Sequence, residues 1–441
     1  MGPLPGFIIA GTQSRSGKTT LTLAIMATLV REGVAVAPFK SGPDYLDPAW
    51  HQEVTGRPSY NLDTFMIGTE ASRRLLIEKG REATAIVEGV MGLYDGREGV
   101  GGAGSTADLA RVLGLPVLLV VPARGMAGSL VPLVTGFTQA ARGFTIAGIL
   151  ANEVGSESHA ARLRELLDAH ALPPLVGWLP RQATLHLEER HLGLTLPGEQ
   201  KAPAWELLAR NLHLDRERLR ACLRPPVALP PADADPAPRA EPPPAPSRLQ
   251  GRTIAIARDQ AFAFLYPANL DFLRESGARL HFFSPLAGDP LPEDCDAVWL
   301  PGGYPELHGK RLATSRTWPS LAAFVAAGGA VLAECGGMMA LGSSLTDGAG
   351  RVWPMAGILP IRTHMTGRLA GLGYRLEAGG ARGHEFHHSR RDPCDLPPAF
   401  SPDRGDGGVR WRNLRASYVH WYFPSAPASI GRWLDKGEAD G

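Results

Sequence analysis

The stretch from Gly11 to Thr20, Gly-Thr-Gln-Ser-Arg-Ser-Gly-Lys-Thr-Thr, has the residue types and spacing to hold phosphate. It follows an apolar run, Phe7 to Ala10, and precedes a helical pattern from Leu21 to Val30, the order strand, loop, helix. Glycines let backbone N–H groups curl round phosphate oxygens, a helix N-terminus adds partial positive charge, Lys18 reaches the β and γ phosphates, and Thr19 can ligate Mg²⁺. Thr12, Gly17, Lys18, Thr19 and Thr20 are therefore candidate ATP contacts, although five residues rather than four separate Gly11 from Gly17. Glu88, in Ala85-Ile-Val-Glu-Gly89, falls at the C-terminal end of a buried strand, where open α/β sheets present ligand groups. With Thr19 and Asp44 it makes the candidate Mg²⁺ set. Lys40-Ser-Gly-Pro-Asp44-Tyr45-Leu46-Asp47-Pro48 follows another strand end and supplies two acids, a lysine and an aromatic on a rigid turn. Asp95 and Arg97, in the glycine-rich loop Gly92 to Gly104, are a similar pair. Asn152, after the strand Ile146 to Leu150, can hydrogen-bond an adenine edge, and also suits a plain turn.

A second chemistry is written further along. Val331-Leu-Ala-Glu334-Cys335-Gly336-Gly337 runs from a strand through a sharp turn into a helix. Glycines beside the cysteine permit the strained elbow that exposes a nucleophile and aims backbone N–H groups at an oxyanion. Leu300-Pro-Gly-Gly303-Tyr-Pro-Glu306 ends the preceding strand in a loop able to complete that oxyanion hole, which makes Gly303 and Gly336 its candidate donors. A cysteine nucleophile needs a base, and His420, after the short extended run Ser417 to Val419, offers one. His384, His387 and His388 compete for that role. Their cluster, Gly383 to Ser389, has alternating rather than helical spacing and no nearby cysteine, which argues against a metal site.

These residues require two sets of parallel strands to carry them. Short apolar runs at Phe7 to Ala10, Val34 to Phe39, Ala85 to Val87, Val117 to Val121, Ile146 to Leu150 and Leu175 to Leu179 alternate with helical patterns and predict a doubly wound α/β domain. The rhythm restarts at Thr253 to Ala257, Leu280 to Phe283, Ala297 to Leu300 and Ala330 to Ala333, which predicts a second. Between them, residues 224–248 contain ten prolines and six alanines and read as an extended linker. The expected division is a P-loop domain over 1–223, the linker over 224–248 and the cysteine-bearing domain over 249–437.

Composition fits that division. At 441 residues, with 44% hydrophobic and 20% charged, the chain is long enough for more than one core. Forty-five basic against 44 acidic residues leave a net charge of +1, so no global field recruits nucleic acid or an anionic membrane. Four cysteines, Cys222, Cys295, Cys335 and Cys394, are too sparse for a disulfide scaffold and predict a reducing, cytoplasmic setting. The segment Met1 to Ala10 has no basic n-region and reads as neither signal peptide nor anchor, and no apolar run reaches 18 residues.

Taken together the motifs resemble the cobyrinic acid a,c-diamide synthase family of corrinoid biosynthesis, over nearly the whole chain outside the linker. The resemblance rests on Gly11 to Thr20, Gly42 to Pro48, Glu88 to Gly96, Ser105 to Asp108, Glu189 to Leu194, Leu300 to Glu306, Glu334 to Gly337 and Gly383 to Ser389. It implies an N-terminal ATP-dependent amide ligase similar in fold to dethiobiotin synthetase, joined to a C-terminal class I glutamine amidotransferase domain. It also implies that Lys18, Thr19 and Glu88 handle Mg-ATP, that Asn152 meets the adenine, and that Asp44, Tyr45, Leu46 and Asp95 lie around the corrinoid carboxylates. Cys335 would be the glutaminase nucleophile and His420 its base. The partners implied are the corrinoid and glutamine; nucleic acid and membrane are excluded, and a homodimer is compatible with the sequence. Two positions depart from the pattern. Tyr422 stands where most class I glutaminases carry an acid that orients the histidine. The chain also reads His420-Trp-Tyr-Phe423 where the family has His-x-His-Phe, and His388 where it has Tyr. Two alternatives remain open: a nickel tetrapyrrole as the amidated substrate, and a P-loop ATPase whose C-terminal half is a non-catalytic interaction domain.

Overall fold

Runs such as Gly-Phe-Ile-Ile-Ala-Gly, buried at all six positions, can only sit inside a sheet covered on both faces, and such runs organise the computed structural model. It describes residues 5–97, 99–182, 204–223 and 247–435, with the backbone of 189–190 and 193–194. Residues 224–246 of the expected linker lie outside the described residues, whereas Ser247–Leu249 forms a 3₁₀ turn. The motif Glu189 to Leu194 is described only as two short paired strands, β8 (Glu189–Arg190) and β9 (Gly193–Leu194), below.

The chain divides into two compact units, Met1–Asp235 and Pro236–Gly441. In the first, β1 (Gly6–Gly11), β2 (Val36–Ser41), β3 (Tyr60–Leu62), β4 (Thr84–Gly92), β5 (Val117–Pro122), β6 (Ile146–Val154), β7 (Leu175–Pro180) and β10 (His213–Leu214) form one sheet in the order β10-β7-β6-β5-β1-β4-β2-β3. Only β10 is antiparallel to its neighbour. All six predicted runs are strands, with β2 starting at Val36 rather than Val34. The two edges, β3 and β10, were not anticipated, because three and two residues are too short to show a period. Helix α1 (Lys18–Arg31) leaves β1 through the Gly11 to Thr20 loop and buries Leu21, Leu23, Ile25 and Met26. Register pairs Ile9 of β1 and Lys40 of β2 with Glu88 of β4, so three predicted site segments end on adjacent strands.

The second unit places β11 (Thr253–Ala257), β12 (Arg279–Phe283), β13 (Ala297–Leu300), β14 (Ala330–Glu334), β21 (Val409–Trp411) and β22 (Leu414–Ser417) in the order β12-β11-β13-β14-β22-β21, parallel except at β21. The four predicted runs are its four leading strands. A smaller sheet of β18 (Gly371–Leu376), β19 (Arg382–His387) and β23 (His420–Tyr422) brings His384 opposite His420. A third joins β15 (Ser344–Thr346), β16 (Val352–Pro354), β17 (Arg362–Met365) and β20 (Ser389–Arg391). Trp299, Trp421, Phe423 and Ile430 fill the core under β13 and β23. Among the described residues, no helix is long and apolar enough to cross a membrane.

Candidate active sites

The phosphate loop closes on itself through side chains. Gly17, in the left-handed region at φ 91°, caps α1, and a Cβ there would lie 1.9 Å from Asn152 Nδ2. Asn152 Nδ2 donates to the Ser16 carbonyl at 3.2 Å, so this residue anchors the loop from β6, in addition to the adenine contact expected of it. Thr12 N–H donates to Val120 O at 3.1 Å and ties the loop to β5. Ser16 Oγ is buried inside the loop with no hydrogen-bond partner among the described residues, a hydroxyl suited to a phosphate oxygen. Lys18 is nearly buried, and burial followed by the charge of Lys40 lowers its pKa. Thr20, next on α1, is half-buried.

Glu88 is the hub of this site. Its Oε1 accepts from Thr19 Oγ1 at 2.6 Å and from Lys40 Nζ at 3.1 Å, and its Oε2 meets His51 Nε2 at 2.8 Å. Burial by itself would raise this carboxyl, but Lys40, His51 and Thr19 together hold it far below the usual carboxylate range. Lys40 in turn lies 2.5 Å from Asp47 Oδ2 and 3.7 Å from Asp44 Oδ2. Burial opposes its charge, yet Asp47, Glu88 and Asp44 keep it above the ordinary lysine range. Asp44 Oδ1 caps its own turn by accepting from Leu46 N–H at 2.8 Å, which fixes the half-buried Tyr45 and Leu46 beside it. Asp95, exposed in its loop, accepts from Gly92 N–H at 2.9 Å, while Arg97 lies over the Phe65 ring.

Among the described residues, no group of three His, Cys, Asp or Glu could hold a metal unaided. Mg²⁺ that binds with a nucleotide takes only one or two protein carboxylates and draws the rest of its shell from phosphate and water. The adjacent oxygens of Thr19 and Glu88 are a donor pair of that kind, so the residues fit Mg-ATP. Lys40, Asp47 and His51 were not singled out as site residues from the sequence. Lys40 and Asp47 were visible in the turn motif; nothing local marks His51, which reaches Glu88 from helix α2 (Leu46–Thr55) and rests on Ser59 Oγ at 2.9 Å.

In the second unit, Cys335 leaves β14 at φ 45°, ψ −108°, a strained position for a residue with a Cβ and the conformation expected of a nucleophile elbow. Its N–H donates to Ser417 O at 2.7 Å, tying the turn to β22. The loop leaving β13 presses against the elbow. A Cβ at Gly336 would lie 2.8 Å from Pro305 Cδ and 2.9 Å from Gly303 O, and at Gly337 only 2.2 Å from Leu300 O. Gly303 and Gly336, the two predicted oxyanion donors, are thus brought together.

The neighbouring glycine touches the predicted base. A Cβ at Gly302 would lie 2.2 Å from His420 Cε1, 3.0 Å from Nδ1 and 3.2 Å from Nε2, so the imidazole packs directly on that backbone. Phe264 adds a second wall, its ring centroid 5.9 Å from that of His420, and its N–H donates to Gly302 O at 3.0 Å. Where an orienting acid is usual, Tyr422 is buried edge-on to Tyr266. Packing therefore restrains the ring. Burial pushes the Cys335 thiol up, with Glu306 the next cause, and lowers His420 to about 3, aided by His384 and His387.

The competing histidines are differently engaged. His387 lies 2.7 Å from both Glu385 Oε1 and Ser389 O and stacks on Tyr418 at 3.7 Å. Glu385 also pairs with Arg375. His384 stands edge-on to Tyr374, and His388 to Phe386. A residue missed from the sequence is Glu334. Its Oε1 accepts from Trp421 N–H at 2.9 Å and its Oε2 from Trp299 Nε1 at 3.2 Å. Burial pushes this carboxyl up to about 8 although both donors work against the shift. It links the residue before the cysteine to the residue after His420.

Comparison with known proteins matches a different family to each of the two units. Residues 7–194 match the CobQ/CobB/MinD/ParA nucleotide binding domain family, and residues 253–428 the CobB/CobQ-like glutamine amidotransferase domain family. A cobyrinate a,c-diamide synthase of Herminiimonas arsenicoxydans is 41% identical over 438 residues, 96% of this chain and 95% of that protein. A hydrogenobyrinate a,c-diamide synthase of Pseudomonas aeruginosa is 41% identical over 446 residues, covering 98% and 97%. Another, of Brucella abortus biovar 1, is 39% identical over 443 residues, covering 95% and 98%.

Proposed function

The chain belongs to the cobyrinate and hydrogenobyrinate a,c-diamide synthase family, and we propose that it amidates the a and c carboxylates of cobyrinic or hydrogenobyrinic acid, using ATP and ammonia drawn from glutamine. Residues 1–223 would be the ligase, 224–248 the linker and 249–437 the glutaminase. The observation that carries the reading is that one chain holds both a Lys18–Thr19 phosphate loop facing Glu88 and a strained Cys335 elbow pressed against the Gly302–Gly303 loop, which packs on His420.

A carboxylate resists direct amidation near neutral pH, because its charge repels nucleophiles and its oxygen is a poor leaving group. In the first unit Lys18, with the loop N–H groups, holds the γ phosphate while a substrate carboxylate oxygen attacks phosphorus in line and ADP leaves, giving an acyl phosphate. Thr19 and Glu88, with Asp44 nearby, would hold Mg²⁺, which supplies charge neutralisation on the phosphates when bound. Lys40 stays protonated among Asp44, Asp47 and Glu88 and balances their charge. Asn152 keeps the loop in place and reaches the adenine, and Tyr45, Leu46, Asp44 and Asp95 line the corrinoid side.

In the second unit the Cys335 proton passes to His420 as Sγ attacks the amide carbon of glutamine. The N–H groups of Gly303 and Gly336 receive the oxyanion, and His420 returns the proton to the leaving ammonia. Water then hydrolyses the glutamyl thioester, with His420 again taking the proton. Ammonia attacks the acyl phosphate and displaces phosphate. Incubating the full chain with Mg-ATP, glutamine and each of the two corrinoids separately tests the proposal. Formation of an a,c-diamide with at least one of them supports it, and ATP consumption without an amide product would refute it.

A further inference from the structure

Glu306 sits where a glutaminase has most need of a reason for a carboxylate. It belongs to the short 3₁₀ turn Pro305–His308 that follows Gly302-Gly303-Tyr304. That turn is pressed on the nucleophile elbow, since a Cβ at Gly336 would come within 2.8 Å of Pro305 and 2.9 Å of Gly303 O. After burial, the Glu306 carboxyl is the next cause that pushes the Cys335 thiol up. Other buried carboxyls near the cysteine have partners: Glu334 accepts from Trp421 and Trp299, and Glu385 pairs with Arg375 and His387. Glu306 has none of these; its hydrogen bond is to its own backbone N–H, and no cation lies against it among the described residues.

A carboxylate beside a cysteine opposes the thiolate on which the chemistry depends, unless a positive charge arrives with the substrate. Glutamine brings one. Its α-ammonium is four bonds from the amide carbon that Sγ attacks. On the reading of the second unit as a glutaminase, we propose that Glu306, on the turn packed against the Cys335 elbow, is the subsite for the α-ammonium of glutamine, which neutralises the carboxylate as the amide reaches Sγ. Recognition and activation of the nucleophile are then one event. Burial pushes the Glu306 carboxyl up to about 7, so a bound ammonium also favours its ionised form.

The experiment compares L-glutamine with glutaramic acid, which lacks only the α-amino group, as nitrogen donors in the complete assay with Mg-ATP and corrinoid. The parent enzyme should prefer glutamine by about 10- to 100-fold in kcat/KM, the range for a hydrogen bond to a charged group. In E306Q that preference should collapse from both sides, through a higher KM for glutamine and through faster use of glutaramic acid, whose attack no longer meets an unneutralised carboxylate beside the thiol. E306D, which keeps the charge, should recover part of the preference. Amidation from added ammonia reports folding of each variant. A parallel loss with both donors in E306Q, or an undiminished preference, overturns the proposal. If the parent uses neither donor yet amidates from ammonia, the glutaminase reading itself fails, and Glu306 with it.

Discussion

Replacing Gly302 with alanine separates the base from every other part of the second site. Gly302 carries no left-handed backbone angle, so alanine is conformationally tolerated, and the new methyl group meets chiefly the imidazole of His420. Its Cβ would stand 2.2 Å from Cε1, whereas ordinary contact begins near 3.4 Å, so the ring must retreat by about 1.2 Å. A misplacement of ~1 Å at a catalytic group costs about 10²-fold in rate. Glutamine-dependent amidation by Gly302→Ala should therefore fall about 10²-fold, and amidation from added ammonia should be unchanged. His420→Ala should fall by about 10² to 10⁴-fold in the same assay. In the double variant the alanine at 302 has no ring to displace, so its cost should vanish. Near-normal turnover by Gly302→Ala, or an equal further loss in the His420→Ala background, would refute the assignment of His420 as a base positioned by packing.

Three further outcomes follow from the geometry. Cys335→Ser should abolish use of glutamine and leave ammonia-dependent amidation intact, measured as diamide formed with each nitrogen source; loss of both in a folded variant would contradict two separate sites. Lys18→Ala should eliminate amidation with either source, because the transferred phosphoryl group loses its main cationic contact; ordinary ammonia-dependent turnover would sink the phosphate-loop assignment. Glu334→Ala strands the Trp421 N–H in the core, at a cost of about 1–3 kcal/mol. It should lower glutaminase turnover more than Glu334→Gln, which keeps an acceptor, and a thermal melt should rank the two variants in the same order.

Legibility in the sequence followed how local the chemistry is. The phosphate loop and the cysteine elbow are each a run of consecutive residues between a strand and a helix, and both were read with their flanking strands. Glu88 was read because it ends an apolar run. What surrounds it was not, since Lys40 meets Glu88 only through the β2–β4 register and His51 through the packing of α2. The Glu334 link to Trp421 spans 87 residues, and no local pattern announces it. The contact of Gly302 with His420 was equally hidden: the sequence offered four histidines, and the glycine on which one of them packs lies on another strand's exit loop. The small sheets around Ser344 to Arg391 escaped because their strands are three to six residues long and half exposed.

The central claim is that a corrinoid carboxylate is activated by phosphate and then displaced by nitrogen from glutamine. It is tested most directly with a corrinoid labelled with oxygen-18 in its carboxylates and glutamine labelled with nitrogen-15 in its amide, incubated with Mg-ATP and the full chain. The account predicts nitrogen-15 in both new amides and one oxygen-18 transferred to inorganic phosphate for each amide formed. Labelled amides accompanied by phosphate free of oxygen-18 would contradict it.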